Sequence, residues 1–156
     1  MRPLQLIKRL TAHSIWGDGA VSPKDARIEH MLRANLPRFD IAVLLFGVLG
    51  YFGGIPAIRD TFSEPYAQAW SAALVVTTLM CLVGLAYPAQ LWRLEFYGKA
   101  FLVGLILLYA AAVATAGVVG GDLGRGAVAA AIYSMTELPR WRLRDIARDR
   151  EVNGWP

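Results

Sequence analysis

The chain has 156 residues, of which 56% are hydrophobic and 18% charged, and its net charge is +4 at pH 7. Soluble domains average about 45–50% apolar and about 25% charged residues, so the composition disfavours an ordinary soluble domain. Residues 41–58, 65–91 and 100–121 contain no Asp, Glu, Lys or Arg, and a bilayer core requires apolar stretches of about 18 residues or more.

Residues 1–38 predict two amphipathic helices at the membrane surface. In residues 1–20 apolar residues recur at helical spacing, which fits either a surface helix or, as we favour, a helix at the lipid headgroups. The second helix starts at Ser22, a natural N-cap followed by proline, and is expected to end before Pro37. The basic start lacks the sustained apolar core of a signal peptide, so we expect it to be retained.

Four transmembrane helices are predicted between residues 39 and 139. They cover residues 41–58, 66–88, 100–119 and 123–138. The fourth has only eleven continuous uncharged residues, so by length it is either a re-entrant helix or a short crossing. Residues 89–99, "AQLWRLEFYGK", are interpreted as a polar connection, and residues 140–156 as a basic tail that faces anionic lipid headgroups.

Small residues recur every three or four positions in the first, third and fourth spans. They predict close helix packing, because lipid provides no hydrophobic drive for helix association. The candidate packing residues are Gly47, Gly50, Gly54, Ala112, Ala116, Gly120, Gly126 and Ala130. The candidate membrane-interface residues are Trp70, Trp92, Arg125, Trp141, Arg142 and Arg144.

The positive charges favour four crossings over three. With four spans and an inner N-terminus, 14 of the 16 Lys and Arg residues lie inside and only Arg59 and Arg125 outside. Without the fourth crossing, nine lie inside and seven outside. The positive-inside rule therefore predicts that both termini are cytoplasmic, and we expect a bacterial inner (plasma) membrane.

The sequence predicts no catalytic, cofactor or metal site. It contains no HExxH, GxSxG or GK[ST] motif, and its single cysteine excludes an intrachain disulfide. The glycine-rich "GGDLGRG" follows a span rather than a strand, so we interpret it as an outer hairpin and not as a phosphate loop. The acids nearest the spans are expected at span ends in reach of water, and these are Asp40, Asp60, Asp122 and Glu137. Membrane orientation explains the net charge, so nucleic acid is not an expected partner.

A resemblance rests on "GIPAI" at the end of the first span, Trp70 early in the second, "WRLEFYGKAFLVGLILLY" and "LPRWRLRDI". In these features residues 38–148 resemble small four-span, holin-like membrane proteins of actinobacterial phages. The resemblance implies a non-enzymatic all-α protein that self-associates in the inner membrane and permeabilises it. Residues 1–37 have no counterpart in a minimal holin.

Two other functions are open. The chain is alternatively a scaffold or adaptor subunit of an envelope complex, or a phage exclusion factor, with a membrane-protein partner. A transporter or channel subunit is the least supported, because no span is expected to carry a buried ionisable residue.

Overall fold

The computed structural model describes residues 14–17 and 28–153, and all regular structure within them is helical. After a π-helical turn, Met31–Asn35, come α1 (Leu36–Gly53), α2 (Pro56–Thr61), α3 (Glu64–Ala86), α4 (Pro88–Gly120), α5 (Leu123–Ser134) and α6 (Glu137–Asn153). The prediction of an all-helical chain is confirmed for these residues. Apart from residues 14–17, the first predicted amphipathic helix lies outside them, as does the helix start at Ser22.

Within residues 14–17 and 28–153, three helical segments are long and apolar enough to cross a membrane. They are Met31–Gly53, Glu64–Ala86 and Gln90–Gly120. At about 1.5 Å per residue, even the 23-residue segments extend about 35 Å, more than a hydrocarbon core of about 30 Å.

α1 begins and ends earlier than the predicted span at residues 41–58. Pro37 does not end the preceding helix: the chain stays helical through it, and the π-helical turn Met31–Asn35 lies directly before α1. α1 ends at Gly54, whose φ of 75° favours glycine. The chain then turns inward, so that Ile55 and Ile58 are buried in the core.

α4 has a kink at Leu91, where the backbone angles are not helical. Residues 89–99 are helical on both sides of this kink, so the interpretation of that segment as a polar connection is wrong. From Gln90 to Gly120 the helix extends about 46 Å, well beyond the hydrocarbon thickness. The part of α4 that precedes residue 100 therefore continues past the end of its apolar part.

The fourth predicted span is divided in the structure. α5 has 12 residues, about 18 Å of helix, and ends in a turn at Met135 and Thr136 before α6 begins. Pro139 explains the break, because a proline removes one helical hydrogen bond and its ring clashes with the carbonyl four residues earlier. In the first turn of α6 the same proline is tolerated.

The helices pack in an order that makes α4 the centre of the bundle. α3 packs against α1 and α4, and α4 also packs against α5 and α6. The main core lies among α2, α3, α4 and α5 and includes Trp70, Leu74, Leu102 and Ile106. At the other end of the bundle Ile15 packs with Leu36 and Leu85.

Candidate functional site

A fully buried ion pair joins α1 to α4. The Nζ atom of Lys99 lies 2.6 and 2.7 Å from the two carboxylate oxygens of Asp40, and neither side chain is exposed. Both residues lie within segments that can cross a membrane. The sequence predicted that Asp40 lies at the end of a span in reach of water. This prediction is wrong, because the Asp40 side chain is fully buried.

A second buried ion pair joins α4 to α6. Arg142 donates from Nε to Glu95 Oε1 over 2.7 Å and from Nη2 to Oε2 over 3.0 Å, a two-point geometry that fits guanidinium to carboxylate. Its Nη1 atom donates to Asp145 over 2.5 Å. Burial lowers the pKa of Arg142, but the two carboxylates outweigh this effect and raise the pKa above its usual value.

One turn of α4 positions both pairs. Glu95 and Lys99 are four residues apart and thus lie on one face of the helix. Glycines let α3 approach this turn: a Cβ at Gly84 would lie 2.5 Å from the Glu95 backbone nitrogen, and one at Gly98 would lie 3.0 Å from Cys81 Sγ. The face therefore holds α1, α3 and α6 together at one end of the bundle.

Sequence reasoning missed these residues because it placed Glu95 and Lys99 in a connection. The available signal was their opposite charge at a four-residue spacing, directly before an apolar stretch long enough to span. The expectation that no span carries a buried ionisable residue is wrong. In a membrane protein such residues mark functional or structural sites. Here the buried charges neutralise each other in pairs. Within the described residues, no group of three or more His, Cys, Asp or Glu side chains is placed to hold a metal.

The predicted packing residues fall into two groups. Gly47 faces α3, where an added Cβ would lie 3.0 Å from Val75. At Gly50 an added Cβ would lie 2.6 Å from Ile55 Cδ1 and 3.2 Å from Ser71 Oγ of α3. Gly54 lies against the Arg59 side chain, Ala112 is buried and Ala116 is half-buried. Exposed positions are occupied by Gly120, Gly126 and Ala130.

The predicted interface residues are also divided. Trp70 is only 4% exposed and packs against Phe46 and Tyr109 in the core. The prediction used only its position near the end of the span, which does not determine the face of the helix on which it lies. Arg142 is 3% exposed and forms ion pairs with Glu95 and Asp145, so its guanidinium group is not available to lipid headgroups. Trp92 and Trp141 are half-buried, while Arg125 and Arg144 are exposed.

The glycine-rich segment forms a tight turn between α4 and α5. Gly121 ends α4 with a φ of 65°, and Asp122 begins α5 by accepting a hydrogen bond from the Gly124 backbone N–H over 2.8 Å. A Cβ at Gly117 would lie 2.9 Å from the Cβ of Arg125, so this glycine permits the close approach of the two helices.

α5 exposes a face composed of small residues. It buries Ala129 and Ile132 while it packs against α4. The opposite side of the helix begins with the exposed Leu123. It continues with five small residues, all of them exposed, which are Gly124, Ala127, Ala130, Ala131 and Ser134. We call these five residues the α5 small-residue face.

By their length and composition, the three membrane-length helices of the described residues indicate a helical membrane protein. Comparison with known protein families, curated proteins and solved structures finds no match to the chain. The resemblance to holin-like phage proteins therefore stays a prediction.

Proposed function

We propose that the chain is a non-enzymatic, holin-like protein that self-associates in a bacterial plasma membrane and thereby permeabilises it. The observation that carries this proposal is the α5 small-residue face. It is exposed in the single chain, and its side chains are small enough for another helix to approach the backbone closely.

The three membrane-length helices expose large apolar side chains. Leu49 and Phe52 on α1, Val76 on α3 and Phe101 on α4 are each more than half exposed. Large side chains of this kind suit contact with lipid chains. α5 also exposes Leu123 and Val128, but it combines them with five exposed small residues. This combination favours α5 as the helix that contacts a second copy.

The proposed topology has four crossings, with α5 and the start of α6 forming the fourth. What supports it is the contact between Arg142 and Glu95, because Glu95 lies near the beginning of α4 and Gly120 ends that helix. The helix between Glu95 and Gly120 extends about 37 Å, more than a hydrocarbon core of about 30 Å. A chain that turns back after Gly120 and meets Glu95 therefore covers the thickness of the core a second time. The asymmetry of Lys and Arg favours cytoplasmic termini.

Expression of the protein alone tests the permeabilising activity. We expect membrane potential and growth to collapse once the protein accumulates. Ala130→Leu, in the α5 small-residue face, is expected to delay or abolish the collapse, because a bulky side chain prevents close approach. Ala73→Leu is the matched control, since Ala73 is an exposed alanine of α3, and it should act as the unmodified protein does.

The same variants separate self-association from activity. Crosslinking in isolated membranes should give dimers and larger species of the unmodified chain and of Ala73→Leu, but fewer of Ala130→Leu. Cells that keep their potential at high expression would refute the permeabilising role. Crosslinking that Ala130→Leu leaves unchanged would refute the role of the face.

A scaffold or adaptor is the second candidate, and α6 favours it. Arg142 fixes this helix to α4, whereas Arg144, Arg148 and Arg150 are exposed on it. A rigid basic helix at the membrane surface suits an acidic partner protein. Affinity capture in mild detergent should then yield one stoichiometric partner that Arg144→Gln with Arg148→Gln releases, whereas recovery of homo-oligomers alone would contradict this candidate.

A further inference from the structure

A cleft of about 530 Å³ opens between the beginning of α4 and the end of α6. Such a volume is within the range of about 300–1,000 Å³ that is typical of ligand pockets. Its walls include Trp92, Arg93 and Tyr97 from α4 and Ile146, Arg150 and Glu151 from α6. Ile146 is 1% exposed, whereas Tyr97 is 57% exposed.

Two arginines lie against one tryptophan in this cleft. The guanidinium carbons of Arg93 and Arg150 are 5.4 and 5.6 Å from the centroid of the Trp92 ring, distances typical of cation–π contacts. The two guanidinium groups thus share one aromatic neighbour, although they come from different helices.

The charge of the cleft is unbalanced. Among the residues that the structure describes, neither Arg93 nor Arg150 forms an ion pair with a carboxylate. Glu151 is the one acidic residue that lines the cleft, so two positive charges face one negative charge. An additional anion would balance the cleft.

The depth of the cleft identifies the source of that anion. The uncharged part of α4, residues 100–120, extends about 31 Å and matches the hydrocarbon core. Trp92 and Tyr97 precede it by eight and three residues, or about 12 and 5 Å. Headgroup layers occupy about 5–8 Å on each side of the core, so Tyr97 lies in the headgroup layer and Trp92 lies a few ångströms beyond it on the water side. The cleft therefore lies at the boundary between the lipid headgroups and water.

We propose that the cleft binds the phosphate group of an anionic phospholipid. Arg93 and Arg150 donate hydrogen bonds to the phosphate oxygens, for which the guanidinium geometry is well suited. Tyr97 contacts the upper part of the acyl chains. Lipid binding here is separate from self-association through α5, so either proposal can fail without the other.

The test measures lipid retention by the purified full-length protein. The protein is equilibrated with vesicles of equal parts phosphatidylglycerol, phosphatidylethanolamine and phosphatidylcholine, extracted in mild detergent and analysed by native mass spectrometry. We expect one retained phosphatidylglycerol per chain. Arg93→Gln and Arg150→Gln should each weaken its retention about tenfold, the loss typical of a hydrogen bond to a charged group.

Arg148→Gln is the matched control, because Arg148 is an exposed arginine of α6 that does not line the cleft. It removes the same charge and should leave retention unchanged. Equal losses in all three variants would overturn the site in favour of general electrostatic attraction. Retention of all three lipids in equal amounts would overturn the selectivity for anionic lipid. Displacement of phosphatidylglycerol by millimolar inorganic phosphate would identify free phosphate as the ligand and overturn the lipid assignment.

Discussion

Asp40 and Lys99 show how two charges can be buried in a segment that crosses a membrane. Removing both ions from water is costly, and only a close contact with hydrogen bonds compensates for that cost. The two short contacts between Lys99 Nζ and the Asp40 carboxylate meet this condition. Such a pair adds little net stability over an apolar pair of similar size, but it disfavours any arrangement in which α1 and α4 separate.

Removal of one partner should therefore be more harmful than removal of both. Lys99→Met leaves the Asp40 carboxylate buried and unpaired, and we expect the free energy of unfolding to fall by about 3–5 kcal/mol. The double variant Asp40→Leu with Lys99→Met should recover most of this loss. Denaturant titration in detergent micelles, followed by tryptophan fluorescence, measures both.

The exposed pair of Arg59 and Glu64 is the control, since its contact is 2.8 Å and both side chains are about half exposed. Arg59→Met should cost less than about 1 kcal/mol. A double variant as unstable as Lys99→Met would contradict the interpretation of the buried pair.

Gly84 lies where α3 contacts α4 most closely, so its substitution tests this contact. An alanine there would place its Cβ 2.5 Å from the backbone nitrogen of Glu95, which cannot move independently of its helix. We expect Gly84→Ala to lower the free energy of unfolding by about 1–3 kcal/mol. Gly104→Ala, where a Cβ has no neighbour within 4 Å, should instead raise it by about 0.5–1 kcal/mol. The same titration compares them, and equal effects would mean that Gly84 is not a close contact.

At the scale of elements, α4 supports the rest of the bundle. Periodicity and length were sufficient to predict the apolar parts of α1, α3 and α4, because hydrocarbon thickness fixes the length of a spanning helix. They were not sufficient for the part of α4 that precedes residue 100. Charges indicate a water-exposed segment only when no partner neutralises them, and the partners of Glu95 and Lys99 are 47 and 59 residues away in sequence.

Arg142 determines whether α6 stays on α4. In Arg142→Gln the Glu95 carboxylate is buried without its cation, and the cost of about 3–5 kcal/mol is expected to detach α6 locally. Hydrogen exchange should then become at least roughly 100-fold, and up to several thousand-fold, faster in α6, while exchange in the apolar half of α4 is unchanged. Arg144→Gln is the control, because the Arg144 side chain is 75% exposed. Unchanged protection of α6 in Arg142→Gln would show that other contacts hold the helix.

For the whole molecule, the sequence predicted that the glycine-rich segment is a hairpin, because no strand precedes it. It could not predict that α5 stops after 12 residues. Apolar length alone does not decide whether the fourth segment crosses the membrane. α5 and α6 are separate helices, and both pack against α4. They cross the membrane if the loop before α5 and the end of α6 lie on opposite sides of it.

Single cysteines tested with a membrane-impermeant maleimide determine those positions. The background is Cys81→Ala, which removes the one native thiol. Four crossings predict that Asp60→Cys and Leu123→Cys react from the outer side in intact cells, because both positions are exposed. Gln90→Cys and Arg148→Cys should react only after the cells are opened. Gln90 is the control for the inner side, because it lies at the start of α4, and Arg148 must share its behaviour if α5 and α6 return across the bilayer. If Arg148→Cys and Leu123→Cys both react in intact cells, the fourth segment turns back without crossing.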